Sequence, residues 1–159
     1  MILAIDPGET ESAYLFMGMD GTIRDFATAS NEAVLQLCAV REYHELIIEE
    51  VRSYNQRVGK STFETIKWSA RFALRATDRH LPVQWVGRKE VFHYWCEGSL
   101  ASDAAIRSAL EDRYGRVGTK KCRGALFGHD KHTLSALAIA GYWKSKLVLM
   151  KIAEAKYAT

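Results

Sequence analysis

The sequence predicts an α/β fold: a mixed five-stranded sheet with helices on both faces. Three observations carry this expectation. Short apolar runs come first, in quick succession, with a hairpin turn among them. Apolar runs then alternate with helical patterns. Two of the runs, residues 2–5 and 46–48, are apolar at every position, as strands covered on both faces are. At 159 residues the chain has room for one domain, spanning 1–159, at the usual figure of about 100 to 200 residues per domain.

Ile2-Leu3-Ala4-Ile5 runs into Asp6-Pro7-Gly8, where Pro7 cannot donate to a ladder and Gly8 admits a sharp turn, so the first strand ends in an acid. Ser12–Met17 and Ile23–Ala27 flank Met19-Asp20-Gly21-Thr22; an Asp-Gly turn between apolar segments is a strong hairpin signal, and strands one to three are expected as an antiparallel meander. Ser30 or Asn31 suits an N-cap, and Val34, Leu37, Cys38 and Val40 follow at helical spacing. Leu46-Ile47-Ile48 is too short for a helix and is expected as a second buried strand, again ending in acid, at Glu49-Glu50.

Ser61 and Glu64 have the spacing of a capping box, and the helix it would open is expected to bury Phe63, Ile66, Ala70, Ala73 and Leu74. Pro82–Gly87 reads as the fifth strand. One or two helices follow; Ser102-Asp103 starts one that carries Ile106, Ala109 and Leu110 and stops at Gly115. The last helix is expected to begin at 131–133, with Leu134, Leu137, Ala138 and Gly141 on one face.

Hydrophobic residues are 48% and charged residues 26% of the chain, which supports a packed core and excludes a disordered tail. Lys and Arg number 22 against 19 Asp and Glu, a formal charge of +3 that tolerates an anionic partner without demanding one. Cys38, Cys96 and Cys122 show no CxxC spacing, so neither a disulfide framework nor a cysteine zinc site is expected, and a reducing cytosol fits. The opening MILAIDPG meets Asp6 before a signal peptide is complete, and no apolar run approaches the roughly 20 residues of a membrane span, so a cytoplasmic protein without membrane contact is expected. Gly59-Lys60-Ser61 imitates the end of a phosphate-binding loop, but the first glycine would fall on Tyr54; no nucleotide cofactor is expected.

Asp6 and Glu49 each follow an apolar strand, and neighbouring strands lie about 4.8 Å apart, so adjacent pairing would set both carboxylates around one cation. Two acids that close stay ionised only if positive charge compensates them, and Mg²⁺ or Mn²⁺ with oxygen ligands suits the pair. A single strand-end acid is equally an ordinary turn residue; it is the pairing that points to a metal. His132, with Ser135 one turn later, would present its side chain toward the same strand ends, unless it is merely a surface residue beside Asp130 as N-cap.

Arg113, Arg116, Lys120, Lys121 and Arg123 form an acid-free segment with Gly115, Gly118 and Gly124, either a basic arm for phosphates or a solvated loop. Arg52, Arg57 and Lys60 surround Tyr54, and a ring among cations next to a metal site suits nucleic acid.

These residues resemble a known family. Ile2-Leu3-Ala4-Ile5-Asp6-Pro7-Gly8, Leu46-Ile47-Ile48-Glu49-Glu50-Val51, Gly59-Lys60-Ser61-Thr62 leading to Ser69-Ala70-Arg71, and the stretch 128–140 together resemble the motifs of RuvC-type Holliday junction resolvases, above all the small bacteriophage versions. The likeness runs nearly end to end and implies a ribonuclease H-like fold. It implies metal-assisted hydrolysis of a DNA phosphodiester, with Asp6 and His132 holding the ion that activates water and Glu49 with Asp6 the ion against the leaving oxygen. It also implies branched DNA as substrate and a homodimer, for which the helix from Ser61 to Thr77 offers a surface, with Trp68 and Phe72 off its main stripe. The chain departs from the cellular pattern at Ser135, where an aspartate is usual, and at Arg52, where an aromatic is usual; Asp130 stands near enough to replace the missing acid. The departure at Ser135 keeps a second expectation open, a catalytically weak or inactive DNA-binding relative.

Overall fold

The computed structural model describes residues 1–52, 58–96 and 102–157. Its elements are β1 (Ile2–Asp6), β2 (Glu11–Met17), β3 (Ile23–Ser30), α1 (Asn31–Val40), β4 (Glu45–Glu50), α2 (Lys60–Asp78), β5 (Val83–Gly87), α3 (Arg88–Trp95), α4 (Asp103–Tyr114) and α5 (Lys131–Tyr157). The five strands lie in the order β3-β2-β1-β4-β5. β2 is antiparallel to β1 and β3, while β1, β4 and β5 are parallel, so the sheet is mixed as expected.

Helices cover both faces. Leu3, Ile5, Leu46 and Ile48 share one core with Val34 and Cys38 of α1 and Phe72 and Ala76 of α2. Ile2, Ala4, Leu15 and Ile47 share the other with Val91 of α3, Ile106 and Leu110 of α4 and the inner side of α5. This double coverage is why residues 2–5 of the first strand and 46–48 of the fourth are apolar at every position. Among the described residues no helix is long and apolar enough to cross a membrane.

The loop after β1 is built to hold still. A Cβ at Gly8 would collide with the Glu11 carbonyl oxygen, so only glycine fits there. The Gly8 N–H donates to Ser12 Oγ at 3.1 Å, the Ser12 hydroxyl donates to Asn31 Oδ1 at 2.6 Å, and Asn31 Nδ2 returns to the Gly8 carbonyl at 3.1 Å. Ser12 and Asn31 are fully buried, and this network fixes the exit of β1. Ser30, not Asn31, caps α1, its Oγ accepting from Ala33 N–H.

Helix α2 differs from expectation in two ways. It begins at Lys60 with Gly59 as N-cap, which puts Ser61 inside the first turn; no capping box forms, and Glu64 pairs with Lys67 at 2.7 Å. Of the expected buried stripe Ala73 packs against the core, but the other four residues face outward. Phe63, Ile66 and Leu74 are 55%, 43% and 61% exposed, whereas Ser69, Phe72 and Ala76 face the sheet. Val40 of α1 is likewise exposed. Helix α4 follows expectation: the Ser102 side chain accepts from Ala105 N–H, Ile106 and Leu110 are buried, and Gly115 ends it at φ +102°.

Candidate active site

Strand alternation decides where the acids point. Ile5 pairs with Ile48 and both enter the α1/α2 core, so Asp6 and Glu49, one residue further on, turn toward the α5 side, as Ala4 and Ile47 do. In the next strand Gly87 lies opposite Glu50, which brings Arg88 to the same rim. The carboxyl ends of three parallel strands thus meet at one edge, where ligands gather in open α/β sheets.

The start of α5 closes this edge from above. Asp130 is the N-cap: its Oδ1 accepts the N–H groups of His132 and Thr133 at 3.0 and 2.7 Å, and its Oδ2 accepts the Thr28 hydroxyl at 2.9 Å. Partial burial opposes its charge, yet the hydrogen bonds from Thr133, Thr28 and His132 hold Asp130 below the usual carboxylate range. The cap orients the first turn of α5 so that His132 Nδ1 reaches Asp6 Oδ2 at 3.2 Å. A cavity of about 560 Å³ opens there, lined by Asp6, Glu49, Arg88, Asp103, His132 and Ser135 among others. A second cavity of about 300 Å³ shares Asp6, Glu49 and Arg88 and extends toward Arg52 and the first turns of α2.

The two acids hold protons more tightly than free carboxylates do, chiefly because they are buried. Burial raises the proton affinity of Asp6, with His132 and Arg88 working the other way. Burial also raises that of Glu49, reinforced by the neighbouring Asp6 charge and opposed by Arg88. Their side chains are only 14% and 12% exposed. Arg88 forks across the opening, with one nitrogen 3.2 Å from Glu49 and another 2.6 Å from Asp103. Its own burial opposes the positive charge, but the two carboxylates outweigh that and raise its pKa.

Two buried carboxylates and an imidazole on one cavity are hard and borderline donors that suit Mg²⁺ or Mn²⁺, with water completing the shell. As the side chains stand, they come in pairs, Asp6 with His132 and Glu49 with Arg88. Among the described residues no three His, Cys, Asp or Glu side chains form a closed metal-holding group.

The expected contact residues divide. Lys120 and Lys121 are exposed at the tip of a tight turn in which Thr119 and Cys122 exchange backbone hydrogen bonds and Gly118 bridges to Arg123. The basic segment is therefore a knitted hairpin rather than a loose arm. Arg123 lies over the Phe127 ring, and Arg113 is committed to Tyr94 and Ser145. Lys60 is exposed at the first turn of α2, and Arg52 is bonded to Glu50, Nε to Oε2 at 2.6 Å. Tyr54 and Arg57 lie outside the described residues. Arg88 was not read in the sequence, and Asp103 was read only as the start of a helix. The signal for Arg88 was its position, an ionic residue at the carboxyl end of a parallel strand, where Asp6 and Glu49 also lie.

No protein-family model matches the sequence, and no curated protein matches it. Solved structures do. The chain is similar to Thermus thermophilus RuvC in complex with Holliday junction substrate, at 16% identity over 89% of this chain and 90% of that one, with a TM-score of 0.68. It is similar to the yeast mitochondrial Holliday junction resolvase at 15% identity, over 90% and 77% of the two chains, with a TM-score of 0.62. Fowlpox virus resolvase, in complex with Holliday junction DNA, matches at 10% identity over 71% and 75%, with a TM-score of 0.50. At these identities the likeness is one of fold: the chain has the ribonuclease H-like architecture of RuvC.

Proposed function

We propose that the chain is a divalent-metal-dependent endodeoxyribonuclease that cuts four-way or related branched DNA, and that it works as a homodimer. The convergence of Asp6, Glu49 and His132 on one cavity, at the carboxyl rim of a RuvC-like sheet, carries this reading. Asp6 is the donor common to both halves of the site. His132 would offer a neutral ring nitrogen once its contact with Asp6 gives way to an ion, and Glu49 would offer a carboxylate oxygen. Mg²⁺ or Mn²⁺ bound there supplies a nucleophilic water and charge for the leaving oxygen. Asp130 keeps its capping role, and its support of the α5 start is what aims His132.

Branched DNA is favoured because two of the similar structures hold Holliday junction DNA. Lys120 and Lys121 at their turn, with Lys60 at α2, are the cations that would meet its phosphates. The outward row Phe63, Ile66, Ala70 and Leu74 gives the homodimer a surface, since an isologous contact along one helix buries an apolar row that is otherwise wet.

Ser135 in the cavity and Arg88 on Glu49 favour the second reading, a DNA-binding relative with little or no cleavage. One experiment separates the two. Labelled four-way junction, flap and linear duplex are incubated with the protein in Mg²⁺ or Mn²⁺, alongside Asp6→Asn. Metal-dependent cutting of the junction that the variant abolishes supports the nuclease. Tight binding without cutting in either metal supports the inactive relative.

A further inference from the structure

Arg88 already puts a positive charge where the acids need one. Its guanidinium spans a gradient of burial, from Glu49 with a side chain 12% exposed to Asp103, whose side chain is 80% exposed at the start of α4. It lies over the Phe92 ring, which braces the fork, and it is common to the walls of both cavities that flank the acids. Planar forked donors make such two-carboxylate bridges where an ammonium cannot.

With a divalent ion held by Glu49, a guanidinium on the same carboxylate would face a doubly charged neighbour. We infer that Arg88 is a resident counter-cation that competes with the metal for Glu49, and that Asp103 is the acceptor onto which it retreats when the ion enters. The inference rests on the proposed metal site and says how that site is kept intact before loading. Asp103 sits on the solvent side of the fork, so the guanidinium can leave Glu49 by pivoting outward without losing its second partner.

The test is Mn²⁺ affinity of the DNA-free protein, read by electron paramagnetic resonance of free Mn²⁺, together with thermal unfolding in chelator. Arg88→Gln is expected to bind Mn²⁺ about tenfold more tightly, the equivalent of one charge-assisted hydrogen bond no longer broken, while melting lower in chelator. Asp103→Asn is expected to bind Mn²⁺ several-fold more weakly, because Arg88 then has only Glu49. Nearby charge alone would also give opposite signs from these two variants, so the variant that keeps the charge decides, and an Arg88→Lys protein that binds Mn²⁺ just as the unsubstituted protein does would overturn the competition. Arg88→Lys, which keeps the charge without the fork, should fall between Arg88→Gln and the unsubstituted protein. Equal or weaker Mn²⁺ binding in Arg88→Gln would overturn the inference while leaving the nuclease reading standing. Absence of any binding that depends on Asp6 would overturn both.

Discussion

Replacing Asp6 by asparagine should make the metal-free protein more stable, although it removes the residue on which the site turns. Two unit charges about 4.8 Å apart on neighbouring strands repel by about 3.5 kcal/mol at an effective dielectric of about 20. Arg88 and the His132 contact offset much of this, and the asparagine oxygen still accepts from His132. A net gain of about 1 to 2 kcal/mol remains, or roughly 2 to 8 °C in Tm for a chain of this size.

The pH dependence follows from the direction of the shifts. Asp6 and Glu49 bind protons more tightly folded than unfolded. Their contribution to stability is full below the unfolded carboxyl range and is lost as pH rises through the higher folded values. The gap between Asp6→Asn and the unsubstituted protein, followed by calorimetry in chelator, should therefore widen from acid toward neutral pH. Adding Mg²⁺ or Mn²⁺ should reverse the order, since an ion that binds only the folded state stabilises only the protein that can hold it. If Asp6→Asn melts lower than the unsubstituted protein in chelator at neutral pH, or if both gain equally from metal, the paired-charge reasoning is wrong.

Three further outcomes are expected. Asp130→Ala should cost about 1 to 2 kcal/mol through the lost cap, whereas Asp130→Asn should retain both fold and cleavage; a loss of cleavage in Asp130→Asn as deep as in Asp6→Asn would make its carboxylate a ligand. Lys120→Ala with Lys121→Ala should weaken junction binding and flatten its logarithmic salt dependence by about 2, measured by titration at several salt concentrations; an unchanged slope would remove the turn from the interface. Ile66→Glu with Leu74→Glu, on the outer row of α2, should shift sedimentation from dimer to monomer while changing stability by no more than about 0.5 kcal/mol per site; an unaltered dimer would place the contact elsewhere.

Asp6 and Glu49 were legible because two apolar runs each end abruptly in acid, and parallel pairing of β1 with β4 then fixes both acids on one side. The hairpin at Asp20-Gly21 was legible for a local reason, the φ of +89° that Gly21 adopts. Helix α2 was misread because it carries apolar residues on two sides. Phe63, Ile66, Ala70 and Leu74 make a clean row, and Trp68, Phe72 and Ala76 make a second, which is the one that packs. Periodicity gives the spacing of a row without saying which row meets the sheet. Ser61 and Glu64 failed as a capping box because the helix starts two residues earlier than the motif assumes, at Lys60 rather than Thr62. The position of Arg88 at a strand end was legible, but its pairing was not, because Glu49 and Asp103 are 39 and 15 residues away in sequence and no local pattern records such a bridge.

The central claim is that residues 6, 49 and 132 share a divalent ion. Crystals of the protein soaked in Mn²⁺ and measured at the manganese absorption edge test it most directly. The expected result is an anomalous peak at the carboxyl rim, within about 2.0–2.3 Å of oxygens from both Asp6 and Glu49, with the His132 ring turned toward the ion. Manganese bound only elsewhere, with Asp6 still on His132 and Arg88 still on Glu49, would contradict it.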